Sequence, residues 1–127
     1  MSNTIKNLES VEDVAKSHGL SETGEARFAR GDLDASQTGL SHQRLAPGKR
    51  QAFGHRHQEA EEIYLVLSGS GRVKLDDDIF DIGRLDAIRV APATTRAFEA
   101  GPDGLEFVAF GPHCAGDGEL INDWWND

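Results

Sequence analysis

Apolar and polar residues alternate in short stretches between about residue 25 and residue 110, and this period of two indicates β-strands. Gly, Pro and Asp residues separate the stretches at fairly even spacing, which is typical of an antiparallel barrel or sandwich. We therefore predict an all-β fold. The predicted strands are residues 25–30, 38–45, 50–57, 62–68, 71–75, 79–82, 87–90, 95–99 and 105–110.

Two polar interruptions of this pattern are predicted to be tight turns. Residues 68–71, Ser-Gly-Ser-Gly, follow an apolar run and are rich in the commonest turn residue. Residues 76–78 are three consecutive aspartates, which suggest a metal cluster at first sight. A hairpin turn is favoured instead, because the carboxylates of adjacent residues do not converge on one point.

The segment before the first strand is predicted to contain one short helix. Ser10 is the expected N-cap, with Asp13 three residues later as its capping partner. The helix is expected to end near Gly19, because glycine suits the left-handed conformation that follows many helices. Residues 1–24 are therefore interpreted as an N-terminal helical extension.

The segment after the last strand is rich in Gly and Asp, and we predict that it is irregular. Trp124 and Trp125 near its end carry large apolar areas, so we expect them to pack rather than to extend into water. The chain is thus divided into a barrel, residues 25–111, and a C-terminal tail, residues 112–127, that packs on the barrel.

Composition limits the partners and the location of this chain. Its 127 residues are enough for one domain with a hydrophobic core. With 22 acidic and 13 basic residues, the net charge of −9 disfavours nucleic acid and anionic membranes as partners. Cys114 is the single cysteine, and the first residues lack the apolar core of a signal peptide. We expect a cytoplasmic protein without a disulfide or a membrane span.

Two histidines and a carboxylate are the strongest candidates for chemistry. His55 and His57 project from the same face of a predicted strand, and Glu62 follows after a short loop. Neutral imidazole and carboxylate suit a divalent metal ion, with Fe, Mn, Ni, Zn and Cu all compatible. The alternative is a polar barrel interior in which the three side chains satisfy one another and a few waters.

Residues 55–69 resemble the first motif of the cupin superfamily, G-x5-H-x-H-x(3,4)-E-x6-G. Glu62, rather than Glu59 or Glu61, takes the glutamate position, because six residues separate it from Gly69. The resemblance covers roughly residues 38 to 111 and implies a small single-domain cupin of the cupin 2 type. The fold that it implies is a small antiparallel β-barrel or jelly roll, also described as a double-stranded β-helix.

Residues 83–96 are similar to the second cupin motif but differ from it at one critical position. When residues 90–93, Val-Ala-Pro-Ala, are aligned with the usual V-P-P-G, Arg96 stands where the family has its last histidine ligand. Ala97, one residue further on, cannot bind metal either. Three interpretations of Arg96 stay open: it binds the carboxylate or phosphate of a small substrate, it pairs with Glu62 in a site that has lost its metal, or it points into solvent.

Four further residues are weaker candidates. Tyr64 shares the strand face of Glu62, so its hydroxyl is a candidate contact for a bound ligand or cofactor. His42 is a candidate additional metal ligand, although a histidine satisfied by its neighbours is the favoured interpretation. His113 and Cys114 are adjacent and follow the last predicted strand, where a loop position with an idle thiol is favoured.

The resemblance implies metal-assisted chemistry on a small anionic organic molecule, with oxygenation, isomerisation and lyase reactions all represented in the superfamily. In such a protein Glu62 would tune the metal and Arg96 would orient the substrate. The alternative is a binding protein without catalysis, with or without metal. A homodimer is also expected, because residues 25–30 and 38–45 would otherwise form an open sheet edge.

Overall fold

Eight antiparallel strands form one curled sheet, which confirms the predicted all-β architecture. The computed structural model describes residues 3–126. Strand β7 pairs with β2, β3 and β4, while β4 also pairs with β5 and β6, so these two long strands hold the sheet together. The strands are β1 (Gly24–Phe28), β2 (Thr38–Leu45), β3 (Gly54–His57), β4 (Glu62–Leu75), β5 (Asp78–Gly83), β6 (Ala87–Val90), β7 (Arg96–Pro112) and β8 (Gly118–Ile121).

Strand β4 runs without a break through residues 68–71, so the turn predicted there is wrong. The glycines bend the strand instead, with register shifts between Val66 and Ser68 and between Gly69 and Gly71. Gly69 has a φ of +79°, and a Cβ on it would lie 2.1 Å from the carbonyl oxygen of Gly104. Strand β7 likewise joins the predicted strands 95–99 and 105–110.

The N-terminal helix is shorter than predicted and begins later. Ser10 ends a 3-10 turn, whereas Asp13 caps helix α1 (Val14–Ser17) by accepting the N–H of residue 15 at 3.0 Å. Asp13 also accepts the N–H of Ala26 at 3.0 Å, so it joins the helix to β1. This second contact, made across the fold, explains why local sequence placed the cap wrongly. Gly19 has the positive φ that was expected after the helix.

The C-terminal tail contains a strand that the sequence did not predict. Strand β8 pairs with β3, with Leu120 opposite His55, so residues 118–121 are not irregular. Beyond β8 the tail contacts the barrel: the backbone oxygen of Trp124 accepts a hydrogen bond from Lys74 Nζ at 2.7 Å. The indole N–H of Trp125 donates to the backbone oxygen of Gln51 at 2.9 Å.

The core fills the barrel next to β4 and β7. The rings of Tyr64, Phe98 and Phe107 pack together with centroid separations of 4.5–5.9 Å. All three residues are buried, and they form the floor under the polar residues described below. Neither helical segment of residues 3–126 has the length and apolar character that crossing a bilayer requires.

Strand β1 lies at an edge of the sheet, whereas β2 is paired on both sides, with β1 and with β7. The sequence-based expectation that both strands form an open edge is therefore wrong for β2. The homodimer stays a prediction that β1 could mediate through its free side. Light scattering that gives a monomer mass throughout the micromolar range would contradict it.

Candidate metal centre

Strand β3 and the first residue of β4 bring the three predicted ligands together. His55 and His57 share one face of β3, and both rings turn toward Glu62. The Nε2 atoms of His55 and His57 lie 3.3 Å and 3.1 Å from Glu62 Oε1. One ligand atom from each residue falls within 4.8 Å of the other two. The side chains are 18–28% exposed, so the cluster is sheltered but open to small molecules.

These separations fit a bound divalent ion. Ligand atoms at about 2.0–2.2 Å from one ion are roughly 3–3.5 Å apart when their bonds meet at octahedral or tetrahedral angles. The two distances from Glu62 Oε1 to the imidazole nitrogens fall in that interval. The donor set of two imidazoles and one carboxylate is also one that transition metals accept. The residues present therefore fit a metal ion at three coordination positions.

Glu62 is held in its charged form. Burial by itself raises the pKa of this carboxyl, but hydrogen bonds from His55 and Tyr64 and the positive potential of the imidazoles outweigh burial and lower the pKa to about 2. The Tyr64 hydroxyl donates to Glu62 Oε1 at 2.7 Å. A carboxylate that is ionised at neutral pH is ready to coordinate a cation without first releasing a proton.

Tyr64 connects the cluster to the core. Its ring is buried between Phe98 and Phe107, and its hydroxyl lies 3.3 Å from His55 Nε2. Burial, followed by the negative charge of Glu62, raises the pKa of Tyr64 well above its usual value. The phenol therefore stays protonated and acts as a fixed hydrogen-bond donor inside the barrel.

Arg96 is fully buried, so the interpretation that it points into solvent is wrong. The register pairs Arg96 of β7 with His55 of β3, and side chains at paired positions share a face of the sheet. Its Nη2 donates to the backbone oxygen of Ala91 at 3.0 Å, and its Nη1 lies 3.7 Å from Glu62 Oε1. Among residues 3–126, neither Nε nor Nη1 finds a hydrogen-bond acceptor. The arginine thus places a positive charge and unused donors beside the cluster.

Asp117 is a site residue that sequence analysis missed. Its Oδ1 accepts the N–H groups of Gln58 and Glu59 at 3.0 Å and 2.8 Å, and its Oδ2 accepts that of Ala60 at 3.0 Å. Oδ2 also lies 3.2 Å from His57 Nδ1. Burial opposes the charge of Asp117, but the backbone hydrogen bonds lower its pKa below the usual value. No local signal marks this residue, because the pairing of β8 with β3 positions it.

The weaker candidates lie away from the three ligands or at the rim. His42 is buried and its Nε2 lies 2.7 Å from Glu106 Oε2, so it pairs outside the cluster, although its Nδ1 has no hydrogen-bond partner in residues 3–126. Asp76 and Asp77 form the hairpin turn between β4 and β5, as predicted, and Asp78 begins β5. His113 and Cys114 line a cavity that leads to the cluster, but they are not among the grouped ligand atoms.

That cavity has a volume of about 280 Å³ and reaches His57 and Glu62 at its inner end. A larger cavity of about 350 Å³ lies near Arg44 and Asp103 and includes none of the cluster residues. Because two of the three grouped side chains, His57 and Glu62, line the smaller cavity, it is the candidate functional cavity.

No protein-family model matches the chain. An uncharacterized protein of Methanocaldococcus jannaschii is 33% identical over 55 residues, which are 43% of this chain and 44% of that protein. The match thus spans less than half of the length of that relative. This partial match to an uncharacterized protein indicates no activity for the present chain.

Solved structures give a more complete likeness. A cupin protein from Bacteroides fragilis aligns with 91% of this chain and 88% of its own at 20% identity and a TM-score of 0.73. The polyketide cyclase RemF from Streptomyces resistomycificus aligns with 98% and 87% at 19% identity and a TM-score of 0.74. A variant of the oxalate decarboxylase of Bacillus subtilis aligns with 95% of this chain and 34% of its own at 23% identity and a TM-score of 0.74. The structural alignments establish the fold, whereas identities of 19–23% leave the reaction open. The chain therefore has the small cupin-type fold that its His-x-His motif predicted.

Proposed function

We propose that the barrel binds a divalent metal ion through His55, His57 and Glu62, together with a small anionic organic molecule. The observation that carries this proposal is the approach of both histidine Nε2 atoms to one oxygen of Glu62, at 3.3 Å and 3.1 Å. When bound, such an ion supplies a Lewis acid. Oxygenation or isomerisation of the organic molecule is the reaction class that we propose.

Arg96 would bind the anionic group of that molecule. Its Nε and Nη1 are buried donors without acceptors in residues 3–126, and a carboxylate would satisfy them. An anion between the guanidinium and a bound cation would also offset the repulsion of the two positive charges. Because Arg96 is enclosed, the anionic group would lie inside the barrel, next to Glu62.

Tyr64 would hold the proposed ligands Glu62 and His55 in position for the metal ion. Its hydroxyl donates to Glu62 Oε1 and lies within 3.3 Å of His55 Nε2, so it keeps the two side chains aligned. A buried phenol of raised pKa holds its proton at this point rather than releasing it. Glu62, for its part, stays ionised and would balance the charge of the metal ion.

A second candidate function is metal-free binding of a small organic molecule. The 3.7 Å separation between Arg96 Nη1 and Glu62 Oε1 favours it, since the guanidinium can balance the carboxylate without a metal ion. In that case the cavity and its polar end would act as a binding site without redox or Lewis-acid chemistry.

Metal analysis separates the two candidates. The wild type, the double variant His55→Ala/His57→Ala and the control His18→Ala would each be loaded with Mn, Fe, Ni, Zn or Cu ions and dialysed against a mild chelator. His18 is an exposed histidine on the N-terminal segment, far from β3 in the sequence. We expect about one ion per chain in the wild type and the control and none in the double variant. A double variant that keeps the wild-type metal content would show that the ion binds elsewhere, whereas a wild type without metal that still binds organic acids would favour the second candidate.

A further inference from the structure

The cavity beside the cluster has a floor made of small residues. In the sheet register, Phe28 of β1 pairs with Ser41 of β2, Ser41 with Ala109 of β7, and Ala109 with Tyr64 of β4. Paired positions share a face, so these four residues form one row along the inside of the barrel. Ser41 and Ala109 in the middle of the row are buried and short, and they leave space above them.

A second row on the same face is still more open. Gly39 of β2 pairs with Gly111 of β7, and both line the cavity. A Cβ on Gly39 would meet only the carbonyl oxygen of Gly111, at 3.6 Å, so the volume above Gly39 is free. The two rows together make a trough whose floor on β2 and β7 consists of Gly39, Ser41, Ala109 and Gly111, while Leu40 and Phe110 add apolar lining to the cavity.

The two ends of the trough differ in chemistry. His57 and Glu62 lie at the β4 end, while Phe28 and Arg30 lie at the β1 end. The side chain of Phe28 is 57% exposed, so the β1 end of the trough presents an apolar surface. Three strand spacings of about 4.8 Å separate β4 from β1, so the trough is roughly 14 Å long between backbones.

We propose that this trough binds the apolar part of an elongated organic carboxylate, such as a medium-chain alkyl acid or an aryl acid. Its carboxylate would lie next to His57 and Glu62, where the unused donors of Arg96 would bind it. Its apolar part would cover Ser41 and Ala109 and contact Phe28. A cavity of roughly 150 Å³ accepts benzene, and this one measures about 280 Å³. A two-carbon acid would leave most of it unfilled. The position of the polar end rests on the function proposed above, whereas the apolar part depends on the trough alone.

A chain-length series tests the proposal. Straight-chain acids from acetate to octanoate would be titrated calorimetrically into the manganese-loaded protein. We expect the affinity of the wild type to rise up to about fourfold for each added methylene and to level off when the trough is full. Equal affinities for acetate and octanoate would overturn the proposal.

Variants that fill the trough with a side chain test whether the trough itself binds the apolar part of the acid. Gly39→Leu places a side chain above the floor, and we expect it to weaken octanoate binding by at least about tenfold while acetate binding is unchanged. Gly39→Ala is the milder variant, since its Cβ fits at 3.6 Å, and a smaller loss is expected. Gly83→Leu is the control, because a Cβ there meets nothing within 4 Å and Gly83 does not line the cavity. Melting temperatures of all three variants would show that they are folded.

The outcomes separate the trough from the metal centre. If the protein takes up no metal but still prefers longer acids, and Gly39→Leu removes that preference, the trough proposal holds and the metal proposal fails. If metal binds but the chain-length series is flat, the metal proposal holds and the trough proposal fails. If Gly39→Leu changes the oligomeric mass and leaves acid binding unchanged, the trough is a contact between copies of the chain and the proposal is wrong.

Discussion

Asp117 Oδ2 lies 3.2 Å from His57 Nδ1, and the same carboxylate accepts three backbone N–H groups of the loop after β3. The carboxylate therefore holds the loop through hydrogen bonds and places a negative charge beside the ring of a proposed ligand, whose Nδ1 has no hydrogen-bond partner in residues 3–126. A carboxylate beside Nδ1 favours the imidazole tautomer with its proton on that atom, which would make the Nε2 lone pair available to a metal ion. Strand β8 thus contributes to a site whose proposed ligands lie on β3 and β4.

The substitution Asp117→Asn tests this supporting role. The amide keeps an oxygen that can accept loop N–H groups but loses the negative charge beside His57, so we expect metal affinity to fall by about 10- to 100-fold. Asp77→Asn, on the exposed turn between β4 and β5, is the control and should bind metal like the wild type. Calorimetric titration with Mn²⁺ measures both. An unchanged affinity in Asp117→Asn would show that the carboxylate serves the loop only.

Replacing Arg96 with histidine should raise metal affinity. The change removes a buried positive charge 3.7 Å from Glu62 and adds an imidazole at the position of the missing ligand. We expect divalent ions to bind at least about tenfold more tightly and small carboxylates to bind more weakly, since the guanidinium donors are lost. Arg89→His, at an exposed arginine on β6, is the matched control. If Arg96→His binds metal no better than the wild type, the guanidinium does not oppose the ion.

The tail contacts predict a loss of stability when the indoles are removed. Trp124 packs against Gly54 so closely that a Cβ on the glycine would lie 2.7 Å from the indole, and Trp125 stacks with Arg50 at 4.4 Å. We expect Trp124→Ala to lower the free energy of unfolding by about 1.5–3 kcal/mol, measured by urea denaturation. Asn122→Ala, at an exposed position of the same tail, should change it little. An unchanged stability together with a water-like emission of the native tryptophans would contradict the packing.

Stability at acid pH should depend on Glu99. Burial opposes the charge of this carboxylate, but hydrogen bonds from Arg50 and Arg72 lower its pKa below the usual value. A carboxyl whose pKa is lowered in the folded state stabilises the protein above its unfolded pKa, about 4.3, and loses that contribution as the pH falls through the folded pKa. Glu99→Gln should therefore be less stable than the wild type at pH 7, and the difference should shrink below pH 4. Glu22→Gln, at an exposed position, is the control. If the stability difference between Glu99→Gln and the wild type is the same at pH 7 and below pH 4, the ionised Glu99 does not stabilise the fold.

The sequence predicted the fold class, most strand positions and the three grouped ligands, because these follow from alternation and a compact motif. The prediction was wrong where glycine occurs in a β-bulge, because glycine is also common in turns. Residues 68–71 were expected to form a turn, but Gly69 and Gly71 occupy bulges where β4 passes very close to β7. Local sequence cannot distinguish these cases, since the deciding contacts are with Gly104 and Glu99, 35 and 28 residues further along the chain.

Long-range pairing also explains the two missed features of the site. Asp117 reaches His57 only because β8 joins β3, and Arg96 is buried only because its register pairs it with His55. The departure from the second motif identified Arg96 as important, but it did not show whether the side chain of Arg96 points into the barrel or into solvent. Burial and register supplied what spacing alone could not.

Anomalous diffraction from crystals grown with Mn²⁺ would show whether one divalent ion binds between His55, His57 and Glu62. We expect a single strong anomalous peak about 2.0–2.3 Å from the Nε2 atoms of both histidines and from an oxygen of Glu62. The absence of a peak there, with Arg96 hydrogen-bonded to Glu62 instead, would contradict the proposed metal centre.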